Sequence, residues 1–426
     1  MTDSDYGFDT LSIHAGAAPD PTTGARATPI YQTTSYVFQD VDHAAALFNL
    51  EQFGNIYSRI GNPTNAVLED RIAALEGGTA ALAVASGHAA QLIVFHTLLS
   101  AGDEFVAANK LYGGSMNQFA HAFAKMGWHV NWADAAEPES FRAAITPKTK
   151  AIFIESLANP GGVVCDIAAI AKIADEAGIP LIVDNTLATP YLCRPFDHGA
   201  HIVVHSATKF LGGHGNSVGG LIVDGGRFDW SNGKFPTLSE PNDSYHGMKL
   251  HETFGDIAFA IACRTLGLRD LGPALAPMNA FLLLTGIETL PLRMRRHCDN
   301  ALQVARFLST HQDVEWVSYA GLPDSPYRAL AEKYLPQGAG AVFTFGVKGG
   351  YAAGTKLVGR VKLLSHLANV GDTRSLIIHP ASTTHRQLEE KEAIAAGAGP
   401  EVVRLSIGIE DPKDIIADLA QALSGS

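Results

Sequence analysis

Short apolar runs alternate with longer helical stretches through the first two thirds of the chain. The apolar runs occupy residues 81–86, 104–109, 151–156, 181–186 and 201–206. Periodic stretches such as 167–178 separate them. Because parallel strands are buried on both faces, their sequences are nearly continuous in apolar residues. The pattern predicts βαβ units and an α/β fold built on a mostly parallel, doubly wound sheet.

The pattern differs at the two ends of this region. The first 55 or so residues are rich in Thr, Pro and Gly and predict an arm with little regular structure. From about residue 280 a helical stretch, broken near Pro291, precedes short strands at 341–347 and 402–408. We therefore expect an N-terminal arm over residues 1–60, a large domain over 61–280 and a smaller α+β C-terminal domain over 281–426.

Composition and charge narrow the class of protein. The formal net charge is −12, whereas proteins that bind nucleic acids usually carry an excess of basic residues, so we do not expect a nucleic-acid partner. The N-terminus resembles no signal peptide, and polar residues interrupt the most apolar stretch, so we expect no membrane partner. The four cysteines are scattered without a CxxC pair, which predicts a reduced, cytoplasmic protein. Neither HExxH nor a dense His/Asp cluster occurs, so no metal site is expected.

Polar residues follow several of the predicted strands, at the edge of the sheet where open α/β proteins bind ligands. Ser86-Gly87-His88 opens a predicted helix, whose free backbone N–H groups and dipole suit a phosphate. The same turn is also compatible with an ordinary helix start capped by Ser86. Asn159 and Asp184 follow two other predicted strands.

Lys209 is the most unusual residue at this edge. It follows a buried strand, Ser206 and Thr208, and precedes a glycine loop, whereas a solvated lysine usually has acidic neighbours. An amine, a carboxylate, hydroxyl groups and a helix N-terminus together match the needs of pyridoxal phosphate. The amine forms a Schiff base, the carboxylate keeps the ring nitrogen protonated, and the remaining groups bind the phosphate. The loop 212–220 does not have the GxGxxG spacing of a dinucleotide-binding protein.

The segment "HIVVHSATKFLGGHGN" (201–216) resembles the pyridoxal-phosphate signature of the cysteine/methionine metabolism family, the cystathionine γ-lyase group. Further segments are similar to that family in the same order along the chain: "YSRIGNPT", "SGHAA", "LYGGS", "NPGG", "VDNT" and "VRLSIGIED". The resemblance implies a fold type I pyridoxal-phosphate enzyme.

The resemblance also implies roles for individual residues. Lys209 would bind the cofactor and move protons, Asp184 would pair with the ring nitrogen, and Tyr112 would stack on the ring. The phosphate would be held by Ser86, Gly87, His88, Ser206 and Thr208, together with Tyr57 and Arg59 of a neighbouring subunit. Asn159 would contact the cofactor and the substrate, Arg404 would bind the substrate carboxylate, and Ser375 would also contact the substrate. Tyr57 or Tyr112 would assist catalysis. Sharing of the site implies a homo-oligomer, a tetramer built from active dimers.

Two segments bear on the reaction. Residues 212–255 resemble the insertion of O-acetylhomoserine sulfhydrylases, and so does 369–385, where Arg374 replaces an acid that lyases commonly carry. This resemblance implies replacement of acetate at Cγ by sulfide or a thiol, giving homocysteine or methionine. Alternatives on the same scaffold are an O-succinylhomoserine sulfhydrylase and a cystathionine or methionine γ-lyase. Outside the family, the same loops could hold a nucleotide or phosphometabolite in a binding protein that does not need Lys209.

Overall fold

The computed structural model describes residues 6–384, 386, 391, 394 and 397–424. The larger of its two sheets is mostly parallel, as the apolar runs predicted. Its strands are β1 Ala80–Val84, β2 Glu104–Ala108, β3 His129–Ala133, β4 Thr149–Glu155, β5 Leu181–Asp184, β6 Ile202–Ser206 and β7 Gly220–Asp224. They lie in the order β1-β7-β6-β5-β4-β2-β3. The five strands from β6 to β3 run parallel, whereas β7 is antiparallel to both of its neighbours.

Helices pack against this sheet, and some of them begin at a residue whose side chain caps the helix. In the helix Ile167–Ala177, the Asp166 carboxylate accepts a hydrogen bond from the backbone N–H of Ala169, and Gly178 ends the helix with φ 62°. The other helices of the first 272 residues are Phe8–His14, Val41–Phe48, Pro63–Glu76, Gly87–Leu98, Gly113–Asn117, Pro138–Ala144, Thr189–Leu192, Pro236–Ser239, Leu250–Phe254, Ala258–Ala262 and Arg269–Leu271. The π-helical turns Gln118–Phe123 and Cys263–Leu268 and short 3₁₀ turns connect some of them.

The second sheet lies in the C-terminal part of the chain. Its strands are β8 Val314–Ser318, β9 Val342–Val347, β10 Ser365–His366, β11 Leu376–Ile378 and β12 Val402–Ser406, in the order β10-β11-β12-β9-β8. All pairs are antiparallel except β10 with β11. The accompanying helices are Pro277–Glu288, Leu290–Ser309, Arg328–Tyr334, Gly350–Arg360 and Pro412–Leu423. The helical stretch is thus interrupted just before Pro291, as expected; the domain boundaries at 60 and 280 stay a prediction.

The N-terminal arm contains the helices Phe8–His14 and Val41–Phe48, and between them the described chain is largely irregular. Several apolar side chains of the arm are exposed, including Val37 at 99%, Val41 and Phe53. Large apolar side chains exposed to this extent are common where a protein contacts another molecule.

No helix of the described residues combines the length and the apolar character needed to cross a membrane. All four cysteines are buried and free, and burial raises the pKa of each thiol. A thiol held in its neutral form is a poor nucleophile, so these cysteines are not suited to nucleophilic catalysis.

Candidate active site

A cavity of about 240 Å³ lies beyond the carboxyl ends of β4, β5 and β6. It collects ten of the residues singled out in the sequence: Ser86, Gly87, His88, Tyr112, Asn159, Asp184, Ser206, Thr208, Lys209 and Arg404. It also contains five polar residues that the sequence analysis did not single out, Gln91, Ser115, Glu155, Thr186 and Asn369. The carboxyl edge of the parallel strands is therefore the point at which these side chains converge.

The Ser86-Gly87-His88 turn opens the helix Gly87–Leu98 directly into the cavity. The Ser86 hydroxyl accepts a hydrogen bond from the backbone N–H of Ala89 at 3.1 Å and caps the helix. A Cβ atom on Gly87 would lie 2.9 Å from Cβ of Ser206, so a side chain would force the two turns apart. Glycine thus permits a close approach of two segments that both end in hydroxyl and backbone donors, which suits an anion such as phosphate.

The turn after β6 is fixed by hydrogen bonds on both sides. The Ser206 backbone N–H donates to Oγ1 of Thr186 at 2.8 Å. The Thr208 hydroxyl accepts from the backbone N–H of Gly219 at 3.1 Å. Because these contacts fix the backbone, the hydroxyls of Ser206 and Thr208 occupy set positions at the wall of the cavity.

Lys209 extends from this turn to the cavity with a polar but uncharged partner. Its Nζ donates to Oδ1 of Asn369 at 2.6 Å. Burial, and to a smaller extent the positive charge of Arg404, lower the pKa of the Lys209 amine to about 8. A lysine with this pKa is partly neutral near neutral pH and can act as a nucleophile or a base.

Asp184 lies at the end of β5, in register with Glu155 of β4. The Asp184 carboxylate accepts a hydrogen bond from the backbone N–H of Thr186 at 3.0 Å. Burial raises the pKa of both carboxyls, and the charge of Asp184 raises that of Glu155 further. A cationic ring placed against Asp184 would compensate for the water that this carboxylate has lost.

Glu155 links two other site residues through their backbones. Its Oε1 accepts from the N–H of Tyr112 at 2.7 Å, and its Oε2 accepts from the N–H of Asn159 at 3.1 Å. The Tyr112 side chain is half-exposed and meets the His88 ring edge to face, with centroids 6.0 Å apart. Asn159 is buried and precedes a cis peptide bond to Pro160.

Arg404 projects from the middle of β12, where it pairs with Thr344 and Ile378 on the neighbouring strands. Its Nη1 donates to Oδ1 of Asn159 at 3.4 Å, and its Nη2 donates to the carbonyl of Asn369 at 3.2 Å. Burial lowers the pKa of the guanidinium to about 10. Within the described part of the chain no carboxylate forms an ion pair with Arg404, so its charge is available to an anionic ligand.

Three of the expected site residues lie outside the cavity of their own chain. The Arg59 guanidinium lies 5.6 Å from the centre of the Tyr57 ring and donates to the carbonyl of Arg269. Tyr57 is 42% exposed, so its ring is open to another molecule. Tyr57 and Arg59 therefore do not line the cavity of their own chain. Their position is compatible with a contact to the cavity of a neighbouring subunit.

Ser375, the third of these residues, is not among the residues that line the cavity. Its side chain is fully buried, and its hydroxyl donates to Oε2 of Glu410 at 2.9 Å and accepts from the N–H of Gly408 at 2.9 Å. The hydroxyl is thus used within the fold. The residues of this segment that line the cavity are Ala368, Asn369 and Val370, and a substrate contact of Ser375 stays a prediction.

The chemistry of the cavity fits pyridoxal phosphate. A partly neutral amine, a carboxyl that gains from a cationic partner, a ring and a cluster of hydroxyl and backbone donors face the same space. In addition, Oε1 of Gln91 is buried without a hydrogen-bond partner among the described residues, although Nε2 of the same side chain donates to Ser115. An unsatisfied acceptor beside a cavity is consistent with a ligand that donates a hydrogen bond there.

Comparison with known proteins identifies the family. A profile described as "Cys/Met metabolism PLP-dependent enzyme" matches residues 9–424. The chain is 53% identical to the O-acetyl-L-homoserine sulfhydrylase of Leptospira meyeri, over 97% of this chain and 96% of the relative. It is 52% identical to O-acetyl-L-homoserine sulfhydrylase 1 of Thermus thermophilus, over 98% of this chain and all of the relative.

A solved structure gives the same result. It comes from Campylobacter jejuni, is described as an O-acetylhomoserine (thiol)-lyase and contains a pyridoxyl-lysine monophosphate. It superimposes with a TM-score of 0.95 at 41% identity, covering 98% of this chain and all of the other. The chain therefore belongs to the family of Cys/Met metabolism enzymes that depend on pyridoxal phosphate.

Proposed function

We propose that this chain replaces the acetate of O-acetyl-L-homoserine by sulfide or a thiol, giving homocysteine or methionine. The observation that carries the proposal is the connection of Lys209 and Arg404 through one residue, Asn369, at the wall of one cavity. In this proposal the amine would move protons and the nearby guanidinium would bind a carboxylate, as an α-amino acid substrate requires. The donor is inferred from the full-length relatives that carry this activity in their names.

In this proposal the residues of the chain divide the work of binding the cofactor. Lys209 would bind its aldehyde carbon, and Asp184 would face its ring nitrogen. The turns that end in Ser86-Gly87-His88 and Ser206-Ala207-Thr208 would hold its phosphate. Bound pyridoxal phosphate supplies an electron sink for the negative charge that develops at the substrate Cα.

The remaining groups would act on the substrate. Arg404 would fix the carboxylate with two parallel N–H donors and so orient the Cα–H bond towards Lys209. The Lys209 amine, once released from the cofactor, would accept the α-proton and return it later, because its lowered pKa suits transfer in both directions. The half-exposed side chain of Tyr112 would cover the cofactor ring on the side that faces solvent and would limit the access of water.

The activity is tested by supplying the purified enzyme with acetyl and succinyl esters of L-homoserine, each with sulfide, methanethiol or cysteine. Release of acetate coupled to formation of homocysteine or methionine supports the proposal. Preference for the succinyl ester, cystathionine formation from cysteine, or γ-elimination without an acceptor would assign another reaction of the family. Lys209→Ala is the control and should abolish turnover with every pair.

We further infer that the site is completed by a second copy of the chain, in a homo-oligomer built from dimers. Tyr57 and Arg59 lie outside their own cavity, and the arm that carries them exposes apolar side chains. In an equal mixture of Lys209→Ala and Arg59→Ala subunits, random exchange would leave about one quarter of the sites with neither change. Activity recovered in the mixture supports a shared site, whereas no recovery would place Arg59 in its own subunit's site.

We also propose a cytoplasmic location, which the scattered and free cysteines support. Fractionation of the source cells, with the activity followed through each fraction, tests this location.

A further inference from the structure

Glu155 is a buried acid beside the cavity that has no assigned role in the reaction. It is 5% exposed, and it ends β4 next to Asp184 of β5. A second carboxylate beside a first is costly in a buried place, because each charge disfavours the other. We therefore expect a glutamate at this position to have a function that an apolar residue or an amide could not perform.

The reason lies in the two backbone amides that Glu155 binds. Each oxygen accepts one N–H group, from Tyr112 at 2.7 Å and from Asn159 at 3.1 Å. Tyr112 lies after β2 and begins the helix Gly113–Asn117, whereas Asn159 lies in the turn after β4. A single side chain thus joins two turns that are far apart in sequence.

These two turns serve different parts of the proposed reaction. Tyr112 belongs to the cofactor side of the cavity. The Asn159 side chain accepts from Arg404 at 3.4 Å, and Arg404 in turn contacts Asn369, the partner of Lys209. Displacement of Glu155 would therefore disturb the ring contact and the carboxylate contact together.

We propose that Glu155 is a positioning residue that sets Tyr112 against the cofactor ring and Asn159 against Arg404. The proposal rests on the roles assigned to Tyr112 and Arg404 under the proposed function. Gln at this position would keep one acceptor oxygen but would turn an NH₂ group towards the second backbone N–H. Asp would keep the charge but would withdraw the carboxylate from both amides by one methylene.

Glu104 offers a matched control on the neighbouring strand. Its Oε2 accepts two hydrogen bonds, from Nδ2 of Asn131 at 2.9 Å and from Oγ1 of Thr146 at 2.8 Å. It begins β2, at the opposite edge of the sheet from the cavity. Glu104→Gln therefore replaces the charged acceptor of a partly buried glutamate by a neutral amide without reaching the site.

The experiment compares Glu155→Gln, Glu155→Asp and Glu104→Gln with the unaltered enzyme. The Kd of the apoenzyme for pyridoxal phosphate, the KM for O-acetyl-L-homoserine, kcat and the thermal midpoint are measured for each. We expect both Glu155 variants to raise the Kd and the KM by about tenfold, since each loses or weakens at least one buried hydrogen bond to the amides of Tyr112 and Asn159. Glu104→Gln should lower the thermal midpoint and leave the Kd and the KM within about twofold.

Two results would overturn the proposal. One is a Kd and a KM that stay within twofold in both Glu155 variants; the other is an equal rise in Glu104→Gln, which would mean a general loss of stability. If Glu155→Gln does not fold, Glu155→Asp decides alone. If the unaltered enzyme does not use O-acetyl-L-homoserine, the proposed function fails, whereas the Kd for pyridoxal phosphate still decides whether Glu155 positions the site.

Discussion

The amine of Lys209 should titrate far below an ordinary lysine in the cofactor-free protein. Its pKa of about 8 results first from burial and then from the charge of Arg404. At about pH 7.5, roughly a quarter of such amines are neutral, against about 0.1% for a lysine with a pKa of about 10.5. The neutral fraction is thus larger by roughly 200-fold. The rate of reaction with an electrophile should rise less than this, because a less basic amine is also a weaker nucleophile. Replacing Arg404 with Gln removes one of the two causes and should move the titration midpoint of Lys209 upward.

Competitive labelling measures this midpoint. The apoenzyme is treated with a trace of acetic anhydride across the pH range, and the acetylation of the peptide with Lys209 is quantified by mass spectrometry against that of the exposed Lys172. Arg142→Gln, a change at an exposed ion pair far from the cavity, is the control and should leave the midpoint of Lys209 unchanged. A midpoint near that of an ordinary lysine in the unaltered protein would refute the reasoning from burial. An unchanged midpoint in Arg404→Gln would refute the contribution of Arg404.

Three further changes test other parts of the structure. Arg404→Lys should lower kcat/KM for the amino acid substrate by about tenfold to a hundredfold, because an ammonium cannot form two parallel hydrogen bonds with a carboxylate; a steady-state value within twofold would contradict this role. Gly87→Ala places a Cβ 2.9 Å from Cβ of Ser206 and should weaken the binding of pyridoxal phosphate, as measured by titration of the apoenzyme, whereas Gly359→Ala meets no atom within 4 Å and should leave binding intact. Burial raises the pKa of the Asp224 carboxyl to about 7, so the folded chain keeps a proton that the unfolded chain releases above about pH 4. The free energy of unfolding should therefore fall as pH rises from about 4 to 7, by at most about 4 kcal/mol from this group. Asp224→Asn should flatten the dependence in urea titrations; an unchanged slope would mean that this carboxyl ionises in the folded protein as it does in the unfolded chain.

The hydrophobic pattern of the sequence was sufficient to predict the parallel part of the larger sheet. Continuous apolar runs predicted the parallel strands, since burial on both faces leaves that imprint. The antiparallel β7 was not predicted, because its short run follows a glycine loop and nothing local sets its direction. Between β2 and β3 the structure has an α-helix at Gly113–Asn117, a π-helical turn at Gln118–Phe123 and a 3₁₀ turn at Ala124–Met126. Packing against the sheet decides such local deviations, and a helical period does not encode them.

The sequence analysis identified those site residues that lie at or just after the end of a predicted strand. Asp184 and Lys209 were found in this way, and both line the cavity. Glu155 also ends a strand, so its position in the sequence could have marked it as a site residue. Its proposed role, however, depends on two backbone amides from distant turns, which the sequence does not show. Asn369 and Ser375 lie in one segment, and only tertiary structure shows which of them faces the cavity.

The position of β7 has a consequence for how the enzyme is made. The strand that leads to the Ser86 turn pairs within the sheet with β7, and Ala80 is in register with Asp224. On the ribosome, β1 must therefore wait until the chain through Asp224 has emerged before it can dock. A nascent chain that stops short of β7 would have the lysine of the site but no fixed turn for the phosphate. Capture of the cofactor is thus a late event of synthesis, and a chain interrupted before β7 would expose unpaired strand edges to aggregation.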